Sequence, residues 1–241
     1  MSVKMVRLVS TVSLCAIATA ALARDEFDLK VANVEIMRDR AIQDELGITE
    51  GQRKNLNGFA DKFNSANNAK IAEYQKAKKQ PDMAFQKFTY AQYVKMRDSV
   101  LGGISDGQLK RLREITIQAA GPRAILDKNV ATKIGLTDKD YNLIRTTIIA
   151  SDQKIAKIKG EVGEVIRKKY EKTAKPKTKA EAEALNKKVQ ADINTAMRKR
   201  QPEVQKIVSA SDAKVKTVVK QVHLDKLKAL AGKPFVPKAK K

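Results

Sequence analysis

Apolar residues recur at intervals of three and four along most of this chain, the spacing that places them on one side of an α-helix. The pattern predicts helices over residues 29–45, 49–80, 82–100 and 105–120. No region alternates apolar and polar residues persuasively over the length of a strand. The predicted fold is therefore all-α, without a sheet.

The longest uninterrupted pattern follows Thr137 and has heptad spacing, which favours a helix of about 30 residues packed along a partner. A second amphipathic run follows Thr178, and the short connection predicts that it returns antiparallel to the first. Pro202 is expected to break this run or to start a new helix. We expect an elongated bundle of antiparallel helical hairpins. The predicted heptad seam comprises Tyr141, Ile144, Ile148, Ser151, Ile155, Ile158, Val162 and Val165.

Three helix starts share one phrase: an aliphatic residue, Thr or Ser, an acid, a variable position, and Gln or Asp. In such a capping box the hydroxyl accepts from the backbone N–H three residues on, and the last side chain accepts from the N–H of the cap. The phrases begin at residues 48, 104 and 136, so their unequal intervals argue against a solenoid of constant repeat length. The predicted cap pairs are Thr49 with Gln52, Ser105 with Gln108, and Thr137 with Asp140.

The first 23 residues have the pattern of a secretory signal peptide. Lys4 and Arg7 form a positive start, an apolar run follows, and an A-x-A cleavage signal ends at Ala23. We expect cleavage between Ala23 and Arg24, which makes the protein secreted or periplasmic and leaves no transmembrane segment. Cleavage also removes the single cysteine, so the mature chain uses neither a disulfide nor a thiol.

Charge divides the mature chain into regions. The whole chain carries +22, of which residues 1–120 contribute +5 and residues 121–241 contribute +17. We predict an N-terminal helical region (24–120), a basic helical region with the long hairpin (121–231), and a flexible Lys/Pro-rich tail (232–241). Outside the cytoplasm a basic surface attracts anionic lipids, envelope polyanions or acidic proteins. The alternative is that interspersed Lys and Glu merely keep a helical protein soluble.

Residue types that carry catalysis or bind metals are sparse. His223 is the only histidine, and no carboxylates stand around it at metal-ligand spacing. The chain has no glycine-rich phosphate loop, no G-x-S-x-G sequence and no H-E-x-x-H sequence. We therefore predict a protein that is not an enzyme and has no catalytic, metal or cofactor site. His223 is interpreted as an ordinary residue of a helix surface.

Nucleic acid is not the expected partner, although the chain is strongly basic. Recognition of nucleic acid usually adds aromatic stacking to phosphate contacts. The basic half offers only Tyr141, Tyr170 and Phe235 as aromatic residues. The secretory pattern also directs the protein away from intracellular nucleic acid.

The densest aromatic group lies in the third predicted helix, and two further phenylalanines share one side of the second. Most such residues belong to a core. An apolar surface left open for an unfolded client would lie here. The candidate client-binding residues are Phe59, Phe63, Phe85, Phe88, Tyr90 and Tyr93.

The capping phrases resemble the Leu-Thr-x-x-Gln motif of Spy-like proteins, small all-helical proteins of the bacterial periplasm. Thr49 and Gln52 match this motif in the first phrase, and Ser105 and Gln108 match it in the second. Ile replaces Leu in both, and the third phrase has Asp in place of Gln. The closing sequence 227–235 is also similar to the ending of uncharacterised secreted proteins of planctomycete-type bacteria, a similarity that implies no activity.

The resemblance to Spy-like proteins implies an ATP-independent chaperone or envelope-stress protein. Its helical surface would offer basic and apolar patches to unfolded or acidic client proteins. The alternative is a structural envelope protein that binds anionic polymers or lipids through its basic C-terminal helices. In both cases a surface does the binding, and the sequence leaves open whether the protein is a homodimer.

Overall fold

A computed structural model describes residues 24–173, 176 and 178–237, and the predicted signal peptide lies outside this part of the chain. Within it the protein is all-α, as predicted, with nine α-helices, two short 3-10 helices and no strand. The 3-10 helices are Val34–Arg38 and Gly121–Leu126. The α-helices are α1 (Glu26–Val31), α2 (Arg40–Glu45), α3 (Glu50–Lys76), α4 (Met83–Gly102), α5 (Asp106–Ala120), α6 (Lys128–Ile134), α7 (Asp138–Tyr170), α8 (Lys179–Val218) and α9 (Gln221–Ala231).

The segment 29–45 folds as three short pieces, α1, a 3-10 helix and α2, so the prediction of one helix there was wrong. Two side chains interrupt the helical hydrogen bonding of the backbone in this segment. Asn33 Oδ1 accepts from the N–H of Glu35 at 2.9 Å, and Asp39 Oδ1 accepts from that of Ala41 at 2.9 Å. Asn and Asp compete in this way with helical hydrogen bonds, and each therefore caps the helix that follows it.

Two long hairpins dominate the molecule: α3 packs against α4, and α7 packs against α8. The 33 residues of α7 and the 40 of α8 confirm the predicted long helix and its antiparallel partner. The break predicted at Pro202 was wrong, since α8 continues through it. Proline removes one N–H from the helix, but Arg200 in the same turn holds α8 to α7 through an ion pair with Glu161 at 3.0 Å.

The seam of α7 follows the predicted heptads only in part. Ile144, Ile158 and Val162 are buried as predicted. Val165 was predicted on the seam but is 63% exposed, and Ile166 is buried instead. A helix with 3.6 residues per turn drifts by about 20° per heptad from a 3.5-residue repeat. Along a long helix this drift moves the contact from one residue to the next.

The element order of the chain repeats once. Asp39 and Asp127, 88 residues apart, each end a 3-10 helix and cap the next helix, with φ/ψ of −77°/123° and −76°/123°. Gly47 and Gly135, also 88 residues apart, follow these short helices with φ of 63° and 93°. Such angles strain any residue with a side chain. A buried aliphatic residue and a capping Thr then start each hairpin.

The helices that follow the two hairpins, α5 and α9, extend this correspondence. Ser105 and Lys220 precede them at a separation of 115 residues, and Leu112 and Leu227 are buried at the same separation. Residues 34–120 and 121–231 therefore form two tandem units, the second with a longer hairpin. The unequal lengths concealed this repeat among the intervals between the capping phrases.

Each unit has a core of its own. The first cluster of buried side chains includes Leu112 and the second includes Ile134, both fully buried. Helix α5 belongs to both, because Ile115 lies in the first cluster and Ile117 in the second. Helix α1 also contacts both clusters, through Leu29 and Val31, so α1 and α5 together join the two units.

A buried ion pair fastens α1 to α5, and hydrogen bonds fasten the end of α9 to the same helix. Arg113 Nε donates to Asp28 Oδ1 of α1 at 2.8 Å, and Arg113 also donates to the carbonyl of Leu230 at the end of α9. Beyond α9, the N–H of Phe235 donates to Gln118 Oε1 of α5 at 2.8 Å. The start of the predicted tail therefore lies against α5.

Candidate functional site

The six predicted cap residues form three complete capping boxes, at the starts of α3, α5 and α7. A fourth complete box, of Thr178 and Glu181, starts α8. Each cap stabilises its helix start by roughly 1 kcal/mol. The three predicted pairs are Thr49 with Gln52, Ser105 with Gln108, and Thr137 with Asp140.

The first two boxes are joined to each other. Gln52 Nε2 donates to Gln108 Oε1 at 2.9 Å, and Gln108 Nε2 donates to Gln52 Oε1 at 3.1 Å. The same two nitrogens donate to the carbonyls of Gly103 and Gly47. The glutamines therefore hold the start of α3 against the start of α5.

The second unit fills the matching positions differently. Asp140 accepts from the Thr137 hydroxyl at 2.7 Å, and His223 Nδ1 accepts from the N–H of Lys220 at 3.1 Å. Within the described chain no hydrogen bond joins Asp140 to His223. His223 thus caps α9 where Gln108 caps α5. This role of His223 was not predicted, because the only signal is its three-residue spacing from Lys220, which is not a usual cap.

Three of the aromatic candidates pack at the base of the first hairpin. Phe59 and Tyr93 lie against the first core cluster. Phe63 lines a groove of about 410 Å³ between the hairpin and the first 3-10 helix, together with Met37 and Met96. All three candidates are half-buried, so they present little open apolar surface.

Phe85 and Phe88 belong to an aromatic cluster at the tip of the same hairpin. The Phe85 ring stands edge-on to the ring of Tyr74, with centres 5.2 Å apart. The Lys70 ammonium lies 5.5 Å from the ring centre of Tyr74 and 5.6 Å from that of Phe88. Tyr74 was not among the predicted candidates because it lies outside the aromatic run of α4, yet it is the buried centre of this cluster.

Asp82 closes the tip by joining this cluster to the start of α4. Its Oδ1 accepts from the N–H of Phe85 at 2.9 Å and from the Tyr74 hydroxyl at 2.7 Å. These hydrogen bonds lower the pKa of Asp82, and the bond to Asp82 raises the pKa of Tyr74. The Tyr74 hydroxyl and the Asp82 carboxylate therefore use hydrogen bonds to hold the turn between α3 and α4.

Tyr90 is the aromatic candidate that faces solvent, with 69% of its surface exposed. Met83, seven residues earlier on the same side of α4, is 65% exposed. Lys87 lies between them in the sequence and is also exposed. This narrow face carries the two most exposed large apolar side chains of the first hairpin.

The second hairpin pairs its acidic residues internally. Lys169 Nζ donates to Asp192 at 2.6 Å, and Arg200 donates to Glu161 at 3.0 Å. The Tyr170 hydroxyl donates to Asp192 at 2.6 Å and has its pKa raised by that bond to about 12. Lys169 and Tyr170 together lower the pKa of Asp192.

Two acidic residues of α7 have partners outside the hairpin: Lys128 pairs with Asp138, and Arg123 pairs with Asp152. Within the described chain every acidic residue of α7 and α8, apart from Asp212, has a hydrogen-bond or ion-pair partner. In the connection between α7 and α8, residues 174, 175 and 177 lie outside the described chain.

Many basic residues of this hairpin lack such partners. They are exposed and make no ion pair among the described residues, so the uncompensated charge of the hairpin is positive and faces outward. On α7 they are Lys139, Arg145, Lys154, Lys157 and Lys159, and on α8 they are Lys187, Lys188, Arg198, Lys199, Lys206, Lys214 and Lys216.

Two further properties concern the described residues as a whole. No three of their His, Cys, Asp or Glu side chains come together as metal ligands. None of their helices combines the length and the apolar character that a bilayer crossing requires.

Known proteins give no family to which the chain belongs. No family model, no curated protein and no solved structure matches it significantly. The resemblance of the capping phrases to Spy-like proteins thus stays a prediction, and the function has to be inferred from the two hairpin surfaces.

Proposed function

We propose that this protein is secreted or periplasmic and binds anionic polymers or anionic lipids of the cell envelope through the α7–α8 hairpin. The observation that carries the proposal is the sorting of charge on this hairpin. All of its carboxylates except Asp212 have partners within the protein, while most of its exposed lysines and arginines make no ion pair among the described residues. The remaining field along the hairpin is positive and attracts polyanions.

Spacing on α8 favours an extended ligand. Lys188, Lys199 and Lys206 are 11 and 7 residues apart, close to whole numbers of helical turns, so they share one face. Along the helix axis they are separated by roughly 17 Å and 10 Å. A linear polyanion or an anionic membrane contacts all three at once, whereas a small anion contacts one.

The test compares two triple variants of the mature protein. Replacing Lys188, Lys199 and Lys206 by Ala is expected to weaken binding to phosphatidylglycerol vesicles about 100-fold at low salt, since each lysine near an anionic surface contributes about 1 kcal/mol. Retention on heparin should fall as well. For the unchanged protein both affinities should drop steeply as salt rises, because the Debye screening length falls to about 3 Å at 1 M.

The matched control replaces three exposed, unpaired lysines of α3 by Ala and removes the same charge. Its vesicle and heparin affinities should stay close to those of the unchanged protein. Equal losses in both triple variants, or a flat salt response, would rule out a binding surface on α8. The control lysines are Lys54, Lys62 and Lys76.

An ATP-independent chaperone is the second candidate, and the exposed pair of Met83 and Tyr90 on α4 favours it. Apolar side chains on a basic hairpin would hold hydrophobic segments of an unfolded client, while lysines speed its capture. We place it second because five of the six aromatic candidates pack within the first hairpin or against its core.

Suppression of aggregation of reduced α-lactalbumin tests this second candidate. The protein is expected to suppress aggregation at equal ratio and to retain part of that effect in salt. The double variant Met83→Ser with Tyr90→Ser should lose most of it, whereas Ile149→Ser, an exposed change outside this face, should not. No suppression by the unchanged protein would dismiss the chaperone.

The compartment is tested at the predicted cleavage site. The Arg24 side chain, which would begin the mature chain, pairs with Asp106 at 3.1 Å and donates to the carbonyls of Leu101 and Ile104. The mature protein would therefore be anchored from its first residue. Mass spectrometry of the exported protein should give a chain that starts at Arg24, and an intact residue 1 would contradict secretion.

A further inference from the structure

A groove of about 420 Å³ lies between α7 and α8 near the tip of their hairpin. Its lining from α7 runs from Glu161 to Lys169, and that from α8 runs from Asp192 to Arg200. Eight residues of helix correspond to roughly 12 Å, or about two turns. The groove is therefore short and open along one side of the hairpin.

The middle of this groove is apolar. Val162, Val165 and Ile166 contribute from α7, and Ala196 contributes from α8. Val162 and Ile166 are buried, but Val165 is 63% exposed. An exposed valine beside buried ones gives an apolar chain a surface to cover, and covering it is favourable.

Charged residues occupy the ends and the rim. At one end Lys169 is paired with Asp192, and at the other Arg200 is paired with Glu161. Both carboxylates of the groove are thus neutralised within the protein. Lys199 lines the groove, is exposed, and has no ion pair within the described chain. The uncompensated charge at the groove is positive and selects an anionic ligand.

We propose that this groove binds an anionic phospholipid, with an acyl chain along Val162, Val165 and Ala196 and the phosphate of the headgroup at Lys199. The inference rests on the proposed function, because it narrows the anionic ligand of the same hairpin to one that carries an acyl chain. A polymer such as heparin has the charge for Lys199 but nothing to cover Val165.

Size and charge favour a lipid over a protein segment. The volume falls within the range of about 300–1,000 Å³ that is typical of small-ligand sites. A helix from a partner protein that packed into this groove would contact it over only about two turns. A second copy of this chain would bring a hairpin with the same positive excess, which repels the first.

The probe is lysophosphatidylglycerol below its micellar concentration, titrated into the mature protein by calorimetry. Val165→Ser is expected to weaken its binding about tenfold, because the change removes apolar surface equivalent to one or two methylene groups. Val165→Leu should bind at least as tightly as the unchanged protein. Ile149→Ser is the matched control, an exposed apolar residue of the same helix outside the groove, and it should leave the affinity unchanged.

Two further ligands separate the contributions of chain and charge. Glycerol phosphate, which lacks the acyl chain, and lysophosphatidylcholine, whose headgroup carries no net charge, should each bind at least tenfold more weakly than lysophosphatidylglycerol. Equal binding of glycerol phosphate, or an unchanged affinity for Val165→Ser in a variant with the helical circular dichroism of the unchanged protein, would overturn the lipid groove.

Heparin distinguishes failure of this inference from failure of the proposed function. Salt-dependent heparin binding without binding of lysophosphatidylglycerol would overturn the groove and leave the polyanion surface standing. Loss of both would overturn the two together. Val165→Ser should bind heparin as the unchanged protein does, since it changes no charge.

Discussion

Gln52 and Gln108 stand at the same position of two helix starts that face each other, and each side chain uses its full hydrogen-bonding capacity there. Each amide nitrogen donates to the other glutamine and to a glycine carbonyl. Each amide oxygen accepts from the other glutamine and from the N–H of its own cap. The Gln of the capping box therefore caps its own helix and also joins that helix to the facing one by hydrogen bonds.

We expect Gln52→Leu and Gln108→Leu each to lower the free energy of unfolding by about 1–3 kcal/mol. Either change removes a cap, and the side-chain amide of the other glutamine loses its hydrogen bonds to the replaced residue. The double variant should lose less than the sum, with a coupling of about 1 kcal/mol, because the second change removes a partner already lost. Urea unfolding of the four proteins measures this cycle.

Gln153→Leu, an exposed change on α7, is the control and should alter stability by less than about 0.5 kcal/mol. Strictly additive losses for Gln52 and Gln108 would show that the two boxes act as separate caps. In that case the hydrogen bonds between the two glutamines would add nothing to stability beyond the two caps.

The buried ion pair of Asp28 and Arg113 gives a second prediction. Asp28→Ala should cost about 3–5 kcal/mol, since it leaves a guanidinium buried without its carboxylate. The exposed pair of Glu183 and Lys179, at 3.9 Å, provides the contrast. Glu183→Ala should cost no more than about 1 kcal/mol by the same urea measurement.

A double variant separates pairing from packing at this site. Asp28→Leu with Arg113→Met removes both charges and should recover most of the stability that Asp28→Ala loses. If the double variant is as unstable as Asp28→Ala, removing the unpaired charge recovers nothing, and the bond from Arg113 to the Leu230 carbonyl is worth as much as the penalty of the unpaired guanidinium.

The helices and their caps followed from the sequence, whereas breaks within an apolar pattern and the exact register of the α7 seam did not. A capping box such as Thr137 with Asp140 needs only a three-residue spacing, so it was predicted correctly. The breaks at Asn33 and Asp39 were missed because the apolar period continues across them while the backbone does not. Val165 was misplaced because a heptad repeat and a straight helix drift apart.

The candidate site shows the same limit. The basic half of the chain was evident from composition. The pairing of Asp192 with Lys169 joins residues 23 apart in the sequence, so only the hairpin register reveals that this carboxylate is neutralised. Besides the unequal lengths of the two units, the replacement of Ser105 and Gln108 by Lys220 and His223 in the second unit made the tandem repeat hard to predict.

Pro202 gives a third prediction, one of increased stability. A proline inside a helix costs about 3 kcal/mol relative to Ala, of which the reduced entropy of the unfolded chain offsets up to about 1 kcal/mol. Pro202→Ala should therefore stabilise the protein by about 2 kcal/mol. Thermal unfolding measures the gain, and hydrogen exchange should show stronger protection of the N–H groups around residue 202.

Pro81→Ala is the matched control, because this proline lies in the turn before α4 and outside any helix. It should lower stability by about 0.4–1 kcal/mol through the unfolded chain alone. If Pro202→Ala also destabilises, the ring of Pro202 makes contacts that outweigh the lost helical hydrogen bond.

The pair of Tyr170 and Asp192 makes stability depend on pH at both extremes. The folded pKa of Tyr170 lies at about 12, above the ordinary value of 10.0, so its contribution is complete below pH 10 and is lost as the pH rises to about 12. The folded pKa of Asp192 lies below its ordinary value of 3.8. Its contribution is therefore present above that pH and is lost as the pH falls through the folded pKa.

Asp192→Asn should bring the pKa of Tyr170 down from about 12 towards 10, because the carboxylate that opposes ionisation is gone. Spectrophotometric titration of the five tyrosines measures this, with Tyr170→Phe identifying the component that belongs to Tyr170. Asp212→Asn, an exposed change on the same helix, should leave the titration unchanged. If the high-pH component persists in Asp192→Asn, another group holds the proton on Tyr170, and the cross-hairpin contact is not its cause.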